Sequence, residues 1–203
     1  MPRIQAPTVA EHRARQRRAI LDAARAHLAE VGRAPSLADA GARAGLARSS
    51  VYEYFASRED LLTAVVADVF PDWADQVVSA IEQRETPGEQ IWAYVEANMR
   101  LFAGAEQAVA HALATVVDPS VLAEPMARFH QSLQEPLLRA LREHGEAEPD
   151  LMADVIDAMV LRASRDLREP DHAGGERSAG AALELLYRLL GPYLGLVPPP
   201  GLA

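Results

Sequence analysis

The stretch that most limits what this chain can become is Ser36–Leu62, SLADAGARAGLARSSVYEYFASREDLL. Ser36 suits an N-cap, and the helix it opens would bury Leu37, Ala40 and Ala44. Gly45 ends that helix, because a residue tolerant of positive φ closes so tight a turn at little cost. A second helix starts near Ala47, with Val51 and Phe55 four residues apart and facing inward together. Ser57 then opens a third helix with Asp60 three positions on, a pairing like a capping box. Two short helices across a glycine turn, the second opened by small polar and basic residues, describe a helix-turn-helix.

A DNA-binding element sits oddly on a chain of net charge −9, and the distribution of charge resolves this. Residues 1–60 hold ten arginines and seven acids, a balance of +3, whereas residues 61–203 hold ten arginines and twenty-two acids, a balance of −12. A basic head on an acidic body fits a nucleic-acid reader joined to a separate domain. Every basic residue is arginine and none is lysine, which reads mainly as the codon bias of a GC-rich genome. The absence of cysteine excludes disulfides and thiolate zinc sites. No apolar run is long enough to span a bilayer, and the N-terminus lacks the apolar core of a signal peptide. A cytoplasmic protein with no membrane partner is the plain expectation.

The segments Ile20-Leu21-Asp22-Ala23-Ala24, Gly32, Leu37-Ala38-Asp39-Ala40, Ala44-Gly45-Leu46, Val51-Tyr52-Glu53-Tyr54-Phe55 and Ser57-Arg58-Glu59-Asp60-Leu61 follow one another at the spacing of a known domain. They resemble the N-terminal DNA-binding domain of the TetR family of one-component transcriptional repressors. The resemblance covers about a quarter of the chain. Where the family often has Ser or Thr capping the recognition helix, this chain has Ala47, which forgoes a cap worth roughly 1 kcal/mol.

The expected DNA-facing set begins with Arg13, Arg15, Arg17 and Arg18. Beside a helix-turn-helix they suit phosphate contacts, each of which releases a counterion; a solvated helix start is the alternative. The recognition helix is expected from about Arg48 to Phe55, with its first residues at base edges in the major groove. Arg48 can grip a guanine at two points, and Ser49 and Ser50 are small enough to admit the groove wall. Tyr52, four residues after Arg48, faces outward with it. The resemblance implies that Tyr52 and Tyr54 touch the phosphate backbone; the alternative is that they pack. Glu53 would take a cytosine amino group or hold an arginine in place. Arg58 opens the next helix beside its free N–H groups, and Ser36 completes the set.

The rest reads as all-α: an N-terminal three-helix helix-turn-helix domain followed by a C-terminal helical bundle for ligand binding and dimerisation. The boundaries are a disordered arm over 1–10, the DNA-binding domain over 11–60, the regulatory domain over 61–197 and a frayed tail over 198–203. Pro71 should kink or end the helix that leaves the reader. Thr86 and Pro87 mark a fresh helix start. Residues 120–144 form one long helix or a broken pair, interrupted by Pro125 and Pro136, and Glu169 to Ser178 reads as a mobile loop. Helices over 150–168 and 181–194 carry apolar stripes too broad for one contact. The resemblance implies that they pair with their copies in a four-helix homodimer interface through Val155, Met159, Leu183, Leu186 and Leu190; ordinary intrachain core is the alternative.

Family members commonly bind a small molecule inside the helical body, but no lining motif carries over. The candidates come from chemistry alone. Trp92, Val95, Met99, Phe102, Met126, Phe129, Met152 and Met159 are bulky and apolar, and Met adapts to varied shapes. Asn98, His111 and His130 offer polar contacts. A mostly apolar pocket would take a hydrophobic or aromatic effector; no cofactor is expected.

These features together imply a homodimeric repressor on double-stranded, palindromic operator DNA, released when a small-molecule effector binds. The runner-up is a ligand-independent or activating DNA-binding regulator. A bundle enzyme is disfavoured, because no two Glu-x-x-His motifs are present to sit on facing helices and no His-Glu-x-x-His run occurs.

Overall fold

In a computed structural model, the structure describes residues 9–165 and 175–197. Nine α-helices and no strand occur among them. The expected tail over 198–203 and most of the expected arm lie outside the described residues. Contacts divide the chain into two units. The first runs through Val69 and includes Ala108–Ala123; the second takes Phe70–Gln107 and the residues from Glu124 onward. The first unit therefore extends past residue 60 and includes a segment that sequence alone assigns to the body.

The first unit contains α1 (Val9–Val31), α2 (Leu37–Arg43), α3 (Arg48–Val51) and the opening of α4 (Arg58–Glu82). Ile20, Ala24 and Leu28 of α1 are buried with Leu37, Ala40, Val51, Phe55 and Leu61. Ser36 caps α2: its hydroxyl accepts from the Asp39 N–H at 3.1 Å, and the Asp39 carboxylate accepts from the Ser36 N–H at 3.0 Å. Gly45, at φ 71°, closes the helix. There the Leu46 N–H donates to the Gly41 carbonyl at 2.8 Å and the Gly45 N–H to the Ala42 carbonyl at 3.2 Å, the paired bonds of a Schellman stop.

The recognition helix is shorter than its spacing predicts. Regular α-helix ends at Val51, and Tyr52–Tyr54 form a turn. Ala47 supplies no side-chain cap. Glu53 and Tyr54 donate to carbonyls only three residues back, at 3.2 and 3.0 Å, the tighter pattern common at helix ends. Burial of Val51 and Phe55 holds the segment where propensity alone does not.

Of the two outcomes expected at Pro71, a kink or an end, the helix does not end: α4 is continuous from Arg58 to Glu82. An interior proline costs about 3 kcal/mol or more. Val66, Val69, Phe70, Trp73 and Val77 around it are all buried, and each large apolar side chain gains roughly 1.5–3 kcal/mol that way, so packing outweighs the break.

The second unit holds the remainder of α4 with α5 (Pro87–Ala103), α8 (Pro149–Arg165), α9 (Gly175–Leu190) and most of α7 (Pro119–His144); α6 (Ala105–Val116) falls mainly in the first unit. Thr86 and Glu89 form a full capping box ahead of Pro87. The choice over 120–144 resolves to one helix containing both Pro125 and Pro136. Of the expected loop, 169–174 lies outside the described residues, while Gly175 onward is already helical. Ile91, Val95, Met99, Leu137, Leu141, Ile156 and Leu186 build the core of this unit. No helix among the described residues is long and apolar enough to cross a membrane.

Candidate nucleic-acid interface and interior cleft

On the first unit, the N-terminal half of α1 and the segment after α3 form one surface. The Arg13 guanidinium lies 5.4 Å from the centre of the Tyr54 ring and that of Arg17 lies 5.5 Å from the Phe55 ring, both within cation–π range. Arg13 also donates to the Glu53 carbonyl oxygen at 3.0 Å. An arginine is thus held at Glu53, through its backbone. Tyr54 is half-buried, and its hydroxyl donates to Gln16 at 2.5 Å, so it packs against α1. Tyr52, by contrast, is 48% exposed. The Arg48 guanidinium donates to its hydroxyl at 3.2 Å and stands 5.7 Å from its ring. Arg48 and Ser49 are exposed and Ser50 is half-buried.

A second cluster lies beside this one. Ser36, Arg48, Tyr52, Ser57 and Arg58 line a cleft of about 410 Å³ between the starts of α2, α3 and α4. Ser57 opens α4 by accepting from the Asp60 N–H at 3.1 Å, while the Asp60 carboxylate accepts from the Ala56 N–H at 2.9 Å. Arg58 reaches the Ala34 carbonyl at 3.4 Å. Arg18 differs from its neighbours, because it pairs with Asp22 at 2.6 Å and Asp68 at 2.8 Å and so has its charge compensated within the unit. Arg15 is exposed on α1.

Residues 20–65 match the family model described as bacterial regulatory proteins of the tetR family. That stretch is a TetR-family DNA-binding domain. Solved relatives of this fold include a TetR/AcrR-family transcriptional regulator from Thermobifida fusca YX-ER1, at 20% identity and TM-score 0.65, over 85% of this chain and 96% of that one. A tetR-family regulatory protein from Rhodococcus RHA1 aligns at 17% identity and TM-score 0.61, over 86% and 96%. AibR, solved with isovaleryl coenzyme A and operator DNA, aligns at 21% identity and TM-score 0.59, over 84% and 97%. No curated protein matches the chain at a significant level of sequence similarity. The chain thus carries the DNA-binding domain of a TetR-type transcriptional regulator.

The ligand candidates do not gather in one place. Asn98, Phe102 and Phe129, with His130, line a cleft of about 260 Å³ on the second unit. Val95 and Met99 are fully buried core. Trp92 lies edge-on to Tyr187, ring centres 5.1 Å apart, in a different groove. Met126 is half-buried on α7, and Met152 packs on the core cluster. Met159 lines an open groove between α8 and α9. His111 is exposed on the part of α6 that belongs to the first unit.

Sequence reasoning missed the polar pair in that cleft. The Tyr94 hydroxyl donates to Asp157 Oδ1 across 63 residues of chain. Burial, then the neighbouring Asp157 charge, raises the Tyr94 pKa, so the phenol stays protonated. Burial also raises the Asp157 pKa, against the lowering effect of the Tyr94 bond. A lone Tyr on α5 and a lone Asp on α8 form no local motif. The available signal was an Asp on a stripe otherwise read as apolar.

The residues expected at the dimer face divide between the core and the surface of the second unit. Leu186 and Leu190 point into the core of their own unit, at 2% and 5% exposure, and Leu183 packs against it. The outward residues of α9 are Leu185 and Leu189, at 49% and 58%. With Val155 and Met159 of α8 they line a groove of about 720 Å³. The apolar stripe of α9 did not by itself separate the inner leucines from the outer ones.

Proposed function

We propose that the chain is an effector-responsive repressor that binds a palindromic operator as a homodimer in the cytoplasm, acting as a regulator and not as a catalyst. The observation that carries the reading is the cationic face of the first unit. There Arg13 and Arg17 flank the segment after α3, while Arg48 and Tyr52 point outward from α3 itself. Arg48 and Ser49 are the base-edge readers. Arg13, Arg15, Arg17, Tyr52 and Arg58 contact phosphates, and Ser36 lines the cleft that admits the backbone. The exposed apolar residues of α8 and α9 are a patch of the kind that marks an interface, and they are the proposed dimer contact. Two half-sites one helical turn apart would then face two recognition helices.

The effector reading is supported by the cleft on the second unit and by AibR, a protein of this fold that holds both an acyl-coenzyme A and operator DNA. An effector that prefers one conformation lowers operator affinity, and operator lowers effector affinity by the same factor. Selection of bound fragments from random duplexes, followed by gel-shift titration, tests the proposal. A palindromic consensus bound by two chains is expected. Failure to enrich any sequence at low salt would overturn it.

A further inference from the structure

The cleft on the second unit has a charge balance that its apolar walls conceal. Among its lining residues Asp157 is the one carboxylate, and none is an arginine. No lysine exists in the chain to supply a counter-charge. Tyr94 donates to Asp157 Oδ1 and is its one hydrogen-bond partner among the described residues, which leaves Oδ2 to accept from something else. The walls include the aromatic rings of Phe102 and Phe129, with Leu133 and Val160.

This set discriminates among ligand heads. A carboxylate or phosphate would stand beside Asp157 with His130 as the one basic side chain in the lining to offset the repulsion. A neutral apolar molecule would strip water from Asp157 and return no hydrogen bond. An ammonium group would donate to Oδ2 in a charge-assisted bond and present its charge to the aromatic rings. We propose that this cleft binds a small lipophilic ammonium ion, held by the Asp157 carboxylate, which Tyr94 orients, with Phe102 and Phe129 as its walls. At about 260 Å³ the cleft lies just below the usual range for drug-sized ligands of roughly 300–1,000 Å³, so the ion is compact, on the scale of one ring and a short chain. The inference rests on the reading of the second unit as an effector domain and specifies the chemistry of that effector.

The test uses the full chain and three probes of similar shape: phenethylammonium, phenethyl alcohol and phenylpropanoate, each titrated calorimetrically. The ammonium should bind about tenfold or more tightly than the carboxylate. That preference should vanish in Asp157→Asn, which keeps an acceptor for Tyr94, and persist in Tyr94→Phe. Equal or tighter binding of phenylpropanoate, an unchanged preference in Asp157→Asn, or no binding of any probe would each overturn the cation site. If Asp157→Asn does not fold, the ranking of probes on the wild-type chain and on Tyr94→Phe decides. A gel-shift arm separates this inference from the regulatory reading. Ammonium binding that leaves operator affinity unchanged removes effector control and leaves the cation site standing.

Discussion

Gly41 on α2 lies so close to Val51 on α3 that a β-carbon added to it would stand 2.6 Å from Val51 Cγ2. The Leu46 carbonyl oxygen would be 3.2 Å from the same atom. Val51 is fully buried and β-branched, so it has little freedom to turn away. Gly41→Ala gains up to about 1 kcal/mol of helix propensity but loses roughly 1–3 kcal/mol to overpacking. A net fall in melting temperature is expected, with weaker operator binding as α3 shifts. A calorimetric scan in which Gly41→Ala melts at or above the wild type would refute the close packing of α2 on α3.

The arginines should separate by partner. Arg48→Ala removes an exposed side chain whose one hydrogen bond among the described residues is to exposed Tyr52. It should cost about 1–3 kcal/mol of operator binding, relax preference at one base position and leave the melt unchanged. Arg17→Ala should weaken binding evenly across sequences and reduce the salt slope by about 1. Arg18→Ala should do neither, because Asp22 and Asp68 already hold that charge. Gel-shift titrations at several salt concentrations check all three.

Asp157 should make the unliganded chain less stable as pH rises. Burial raises its folded pKa, so the folded state holds the proton more tightly than the unfolded state does. Stability is then highest below the ordinary carboxylate range and falls as pH climbs through the raised folded value. The groups facing it are Tyr94 on α5, His130 on α7 and Asp154 on its own helix. Asp157→Asn should flatten this fall and raise the melting temperature at neutral pH. Thermal melts from about pH 4 to about pH 8 would show it, and a variant curve parallel to the wild type would argue against a destabilising buried charge.

Adjacent leucines of α9 should behave in opposite ways. Leu185→Glu and Leu189→Glu alter outward residues and should yield well-folded monomers in sedimentation velocity. Leu186→Ala empties a core position and should cost about 2–5 kcal/mol of stability. A dimer that survives both outward substitutions would place the interface elsewhere.

The head of the chain was legible because its signals are local. Ser36 with Asp39, Gly45, and Ser57 with Asp60 each act within a few residues, and each makes the hydrogen bonds its type favours. Whether Pro71 ends α4 was not legible, because the burial that carries the helix through it depends on tertiary neighbours. The phase of α9 was ambiguous because Leu185, Leu186, Leu189 and Leu190 offer two equally apolar faces, and only packing selects the inner one. The Tyr94–Asp157 pair was invisible because its partners lie on separate helices. Gly41 passed unnoticed because a need for empty space leaves no mark beyond the glycine itself.

The division of labour within α3 bears on how such a regulator acquires new targets. Val51 and Phe55 anchor the segment from inside, and the neighbouring helices carry their own caps. Arg48, Ser49 and Tyr52 contribute almost nothing to that anchoring. Mutational drift at those three positions can therefore retarget the protein to a different promoter without eroding the scaffold, so paralogues should diverge there first while Gly41, Gly45 and Val51 stay fixed.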